Sequence, residues 1–240
     1  MEEKIIYLVN KILGNDNSGH NMKHVLNVKR LALKFCDGKN VNKDVVVVAS
    51  LLHDVDDYKI VGEEKAEKLL NARKIMDLVG LDNNVKEEVL SIISSLGYRN
   101  RLKGIKPSSI EGMIVSDADM CDAIGSVGII RAIIYAVSSK GNGIIFDKDV
   151  FPNTKIDAKE YNAQGTTHNT DNAINHFFEK LLKIPNLLLT KEGKIEGRRR
   201  MIIMVDFLRE YFRENDLENW LVFLNDYLDD NYALKLKKDR

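Results

Sequence analysis

The 240-residue sequence predicts an all-α fold, and three observations carry that reading. Apolar residues recur at spacings of three and four through long segments. Proline, which interrupts helices, occurs only at Pro107, Pro152 and Pro185. No convincing alternation of apolar and polar residues marks a strand.

The elements follow in order. Residues 2–13 place Ile5, Leu8, Val9 and Leu13 on one side of a first helix, and Gly14 stops it. From His20 to Phe35, Val25, Val28, Leu31, Ala32 and Phe35 form one stripe with His24 at its edge. A third helix starts after Asn42, a natural N-cap, and runs to about Asp56. Its successive valines, Val45 to Val48, suit a buried strand as well, but the unbroken length decides for helix. Amphipathic helices are expected over 63–79 and about 84–95. Residues 97–109, with Arg99, Arg101, Lys103 and Lys106 among Gly and Pro, read as a basic loop. A long helix is expected from Ile110 past Asp119 towards Val137. A long irregular loop covers about 139–170, the length of a lid or binding loop. Helices at about 171–183, 196–214 and 216–230 complete the chain. The whole, 1–240, is expected to form a single compact domain, with a core at about 18–137 and helices 171–230 packed on it.

Thirty-six basic residues balance thirty-six acidic ones, so no global field favours nucleic acid or an anionic membrane. An anionic substrate must be attracted by a local cluster. Cys36 and Cys121 have no metal or redox spacing, which fits packing residues in a reducing compartment. The N-terminus lacks the basic start and apolar core of a signal peptide, and no apolar run reaches membrane-spanning length. A soluble cytoplasmic protein is expected.

The stretch that carries chemistry is Leu51-Leu52-His53-Asp54-Val55-Asp56-Asp57-Tyr58, an apolar run ending in an imidazole and three carboxylates. Such groups at the end of a buried segment need partners, and a metal ion is the usual one. His24 is the best second imidazole. The acids of Ser116-Asp117-Ala118-Asp119-Met120-Cys121-Asp122, which interrupt an apolar helix, supply the best further carboxylate. His20, one turn before His24, reads either as a partner in an HxxxH pair or as a helix cap. Asp117 and Asp122 read either as groups orienting the ligands or as the wet face of a helix.

The ordered series His24, His53-Asp54, Asp119 resembles the H…HD…D signature of HD-superfamily metal-dependent phosphohydrolases. The resemblance is to small bacterial and archaeal HD hydrolases. It extends through Asp122-Ala123-Ile124-Gly125, His176-Phe177-Phe178-Glu179-Lys180-Leu181-Leu182 and the segment from Arg200 to Leu208, covering most of 18–212. It implies an HD-domain helical bundle in which His24, His53, Asp54 and Asp119 hold one divalent metal. Imidazole and carboxylate donors suit manganese, magnesium, iron, cobalt, nickel or zinc, with manganese favoured. Such a metal polarises a phosphoryl oxygen and lowers the pKa of the attacking water.

Asp57, four residues after His53 and on the same side if the helix continues, is the implied general acid or base. Related enzymes often carry Glu there. Lys59, Lys180 and Arg200 match basic positions of these hydrolases that would contact the substrate. His176 and Lys180, one turn apart, read either as a phosphate contact or as a surface pair on a helix packed through Phe177, Leu181 and Leu182. The implied substrate is a nucleotide or another small phosphorylated metabolite. A nucleoside triphosphate pyrophosphohydrolase is the specific form, and no nucleic acid or membrane partner is expected. Two departures, Asn27 where Arg is usual and Met120 where Arg is usual, each remove a cation near the site. With Asp57 in place of Glu, they keep open the alternative of a metal-bound nucleotide sensor or scaffold with little turnover.

Overall fold

A computed structural model of the chain describes residues 1–14, 21–138, 141, 143–155 and 172–232, with no strand among the described residues. The helices are α1 (Glu2–Leu13), α2 (Met22–Phe35), α3 (Lys43–Leu52), α4 (Tyr58–Val61), α5 (Glu63–Lys68), α6 (Leu70–Leu78) and α7 (Asn83–Ser95). They continue as α8 (Tyr98–Leu102), α9 (Ile110–Asp122), α10 (Ser126–Val137), α11 (Ala173–Glu179), α12 (Lys191–Glu214) and α13 (Glu218–Tyr232). A 3-10 segment, Leu181–Leu187, joins α11 to α12.

Several helix starts are written locally. Asn21 accepts from the amides of Lys23 and His24, Asn42 from Asp44 and Val45, Asp82 from Asn84, and Ser109 from Gly112. Each satisfies amides that the first helical turn leaves open.

The departures from the sequence expectation have tertiary causes. The third helix stops at Leu52 rather than near 56. Asp56 turns inward, where its carboxylate accepts from the amides of Asn71 at 3.0 Å and Ala72 at 2.8 Å and caps α6 from a distance. That remote cap accompanies a break in the expected 63–79 helix at Leu69, whose backbone is left-handed with φ of 48°. The expected basic loop contains the short helix α8, entered through Gly97 at a φ of 92°.

The expected long helix from Ile110 to Val137 is two helices, α9 and α10, bent by 61°. Gly125 makes the corner with φ of 80°, and a Cβ there would lie 3.0 Å from the Cβ of Arg200. The last helices also shift: α12 begins at Lys191, not 196, and the expected 171–183 helix tightens after Glu179 into the 3-10 segment containing Pro185.

Part of the expected long loop is anchored. Phe151 stacks on Trp220 with centroids 4.4 Å apart, Phe146 meets the same indole edge-on at 5.0 Å, and the indole N–H donates to the Lys148 carbonyl. Residues 139, 140, 142 and 156–170 of that loop lie outside the described residues.

One buried apolar cluster runs from Ile5 on α1 to Tyr232 on α13. Within it α2 packs on α3 and α9, α3 also packs on α7 and α9, and α12 packs on α9 and α13. The N-terminal part of α2, the end of α3 and the C-terminal half of α9 therefore meet. No single described helix is long and apolar enough to cross a membrane.

Candidate metal centre

His24 lies one turn before Val28 and two before Leu31, so the helical repeat turns it inward with them, and all three are buried. His53 is the residue that closes α3. Its Nδ1 lies 2.8 Å from the Ser50 carbonyl oxygen. A carbonyl only accepts, so this contact places a proton on Nδ1 and leaves the lone pair of the neutral ring on Nε2. His24 is arranged the same way: its Nδ1 lies 2.7 Å from Oδ2 of the buried Asp122 carboxylate.

Both Nε2 atoms point to one place. They lie 3.2 Å apart, with Asp54 Oδ2 3.4 Å from that of His24 and 3.3 Å from that of His53. Asp119 Oδ1 is 3.4 Å and 3.8 Å from the same two nitrogens. Donor atoms of His24, His53 and Asp119 all fall within 4.8 Å of one another. Two imidazole lone pairs and two carboxylate oxygens facing each other in a buried site repel unless a cation lies among them. Ligands held about 2.0–2.2 Å from a common ion sit roughly 3–3.6 Å from their neighbours, a range that holds every distance here except the 3.8 Å between His53 and Asp119. The donor set fits a divalent metal.

Without a metal, protons take over part of that role. Burial alone lowers the pKa of His24, but its contacts with Asp119, Asp122 and Asp54 outweigh burial and raise it well above the ordinary value of 6.5. Burial also opposes the charge on His53, and the negative Asp54 beside it raises its pKa overall. Burial would raise Asp119, whereas the hydrogen bond from His24 and the two imidazoliums hold it low.

A surrounding layer holds these groups. Arg131 on α10 brings Nη1 within 3.6 Å of Asp122 Oδ2 and 3.4 Å of His24 Nδ1. It supplies a cation near a site where Asn27 and Met120 supply none. It is the only charged residue in the apolar sequence of α10, and that isolation was the available signal for a residue that sequence reasoning passed over.

The neighbouring acids divide the work. Asp122 orients His24. Asp117 accepts from the amides of Leu189 and Thr190 and from the Thr190 hydroxyl, so it docks the start of α12 on α9.

The remaining expected site residues are spread around this centre. Asp57 does not continue the helix of His53; its carbonyl accepts from the amides of Ile60 and Val61 at the start of α4. Lys59 belongs to α4, but its side chain lies outside the described residues, as does His20. Lys180 follows α11, and its Nζ stands 5.3 Å from the centroid of the Tyr98 ring. His176 lies half-buried on α11. On α8, the Arg99 guanidinium covers the Tyr58 ring at 5.2 Å, and Arg101 Nη2 donates to Ser116 Oγ at 3.2 Å.

Arg200 requires a correction. Expected at the substrate, it is buried, with Nε donating to Glu196 at 2.7 Å and Nη1 to the Cys121 carbonyl at 2.6 Å. Its charge is paired with Glu196, and Nη1 serves the carbonyl end of α9.

The HD-domain family profile matches residues 21–124, the segment that contains all four candidate ligands. The Bacillus subtilis protein YpgQ is 31% identical over 212 residues, covering 87% of this chain and 90% of YpgQ. An HD-superfamily hydrolase of known structure from Bacillus thuringiensis is 29% identical with a TM-score of 0.67, covering 90% of this chain and 96% of its own. A Lactobacillus plantarum crystal structure aligns at 27% identity and a TM-score of 0.73, covering 89% and 95%. YpgQ has also been crystallised in complex with ADP; that structure shares the fold with a TM-score of 0.66 at 23% identity, over 89% and 97% of the two chains. By sequence similarity over most of its length and by the arrangement of its imidazoles and carboxylates, the chain belongs to the HD superfamily of metal-dependent phosphohydrolases.

Proposed function

We propose that this hydrolase acts on nucleotides, and that its specific reaction is the release of pyrophosphate from a nucleoside triphosphate. The observation that carries the site assignment is the pair of Nε2 lone pairs converging beside two carboxylate oxygens. His24, His53, Asp54 and Asp119 are the side chains that hold one divalent ion, with manganese the favoured choice. When bound, the ion supplies Lewis-acid polarisation of a phosphoryl oxygen and a water that is acidic enough to attack at neutral pH. The ADP complex of YpgQ supports a nucleotide as the ligand class.

The protein's own groups do the rest. Asp122 and the Ser50 carbonyl hold the protons on Nδ1 and turn both Nε2 lone pairs towards the site. Asp57 is three residues beyond Asp54 and at the start of α4; its carboxylate takes the proton of the attacking water or returns one to the leaving oxygen. Lys180, Lys59 and His176 are the candidates to hold the phosphate tail, where charge neutralisation dominates phosphoryl transfer.

The test is a panel of nucleoside triphosphates with manganese, scored for phosphate against pyrophosphate. Wild-type protein is expected to release pyrophosphate, Asp54→Ala to lose both metal and activity, and Asp57→Asn to keep its metal while losing most turnover. Full activity in Asp54→Ala would remove the metal mechanism. Release of phosphate alone would replace the pyrophosphohydrolase reading with a hydrolase of the terminal phosphoanhydride bond.

A further inference from the structure

Arg101 is a half-buried cation without an ion-paired acid among the described residues. It is held on α8, and its one hydrogen bond among the described residues is from Nη2 to the neutral Ser116 hydroxyl. Its Nε is shielded from solvent and has no hydrogen-bond partner among the described residues. Asp117 is the acid near enough to be felt, and its oxygens are already occupied by the amides of Leu189 and Thr190 and by the Thr190 hydroxyl. Burial consequently lowers the pKa of Arg101, and the attraction of Asp117 offsets only part of that effect. A desolvated guanidinium in this condition is costly, and an oxyanion is the group that relieves it.

The position is as informative as the charge. Ser116 stands three residues before Asp119 on α9, so the two share a helix face about 5–6 Å apart between Cβ atoms. At the other end of α8, Arg99 covers Tyr58, a few residues beyond His53-Asp54. The helix that carries Arg101 thus touches both segments that provide carboxylates to the metal centre. Lys180 reaches the same helix through Tyr98. The rest of the guanidinium is donor-rich and planar, matched to two phosphate oxygens at once.

We propose that Arg101 is a substrate-binding residue, whose guanidinium receives the oxygens of a phosphate group beside the metal centre and selects for a polyphosphate over a monophosphate. This rests on the reading of the site as a nucleotide hydrolase, but binding tests it without turnover. The probe is inorganic pyrophosphate, titrated calorimetrically into the full-length protein loaded with magnesium, with orthophosphate as the comparison.

In Arg101→Gln, pyrophosphate affinity is expected to fall about 10- to 100-fold, as when a charge-assisted hydrogen bond is lost. Orthophosphate affinity is expected to change by less, and Arg101→Lys to recover only part of the loss because it restores charge without the fork. The thermal midpoint of Arg101→Gln is expected to hold or rise, since an uncompensated charge has gone. A lowered midpoint with unchanged pyrophosphate affinity would overturn the proposal and leave Arg101 as a prop for α8. Equal losses for pyrophosphate and orthophosphate would overturn the selectivity. A wild-type protein that binds pyrophosphate through Arg101 yet cleaves no nucleotide would sink the proposed reaction and leave this site standing.

Discussion

Asp122 shows how a residue outside the donor set governs it. The carboxylate meets two cationic or protonated partners, His24 Nδ1 at 2.7 Å and Arg131 Nη1 at 3.6 Å, in a buried setting. It fixes which ring nitrogen carries the proton and raises the basicity of the other. In Asp122→Asn the amide can still accept from His24, but the charge that supports the imidazole and balances Arg131 is lost. Metal affinity should fall about 10- to 100-fold, a typical cost of losing such a partner. Competition with a fluorescent chelator measures it, and unchanged affinity would reduce Asp122 to packing. At this scale the sequence was informative wherever a charged group interrupts an apolar run. His24, the 53–57 stretch and the acids at 117–122 announce themselves in that way. The division of labour among the acids was not readable, because Asp56, Asp117 and Asp122 owe their roles to amides and rings that lie far along the chain.

Helices with a local cap were legible to within a residue or two, as the starts at Asn42, Asp82 and Ser109 show. Those shaped by partners elsewhere were not. The helical pattern marks the start of α12 too late because Gly193 and Gly197 weaken it. Each glycine is there for clearance: a Cβ on Gly193 would come 2.3 Å from Asp117 Oδ2, and one on Gly197 would come 2.2 Å from Leu188 Cδ1. The α9–α10 corner has no local signal for the same kind of reason, since Arg200 satisfies the Cys121 and Ile124 carbonyls that a continuous helix would have used itself. Arg200→Ala should therefore destabilise the fold by about 2–4 kcal/mol, through loss of its pairing with Glu196 and of the carbonyl contacts on α9. Urea denaturation of the metal-free protein reads this directly. A change below about 0.5 kcal/mol would mean that Arg199, which also pairs with Glu196, carries the load alone.

For the molecule as a whole, the proposed metal centre would act as a staple. Its donors come from α2, the end of α3 and α9, which are separated by up to 95 residues between His24 and Asp119 and packed in one core. An ion that binds only the folded arrangement stabilises it by about 2.7 kcal/mol when free metal is 100-fold above its Kd. In a domain of this size that corresponds to a Tm increase of roughly 5–10 °C over the chelated protein. The size of the gap depends on pH, and its sign follows from the imidazoles. In the metal-free chain the pKa values of His24 and His53 are raised by their carboxylate partners. Their protonation therefore adds stability that is fully present below the ordinary value of 6.5 and is lost as pH rises through the raised values. The same protons compete with the metal for Nε2. Raising the pH should lower the Tm of the chelated protein through this pair and strengthen metal binding together, so the metal-dependent Tm increment should widen from pH 6 to pH 8. Differential scanning fluorimetry with manganese and with chelator across that range is the measurement. An increment that stays constant or shrinks would show that the bound ion does not displace protons from His24 and His53, and so does not sit between them.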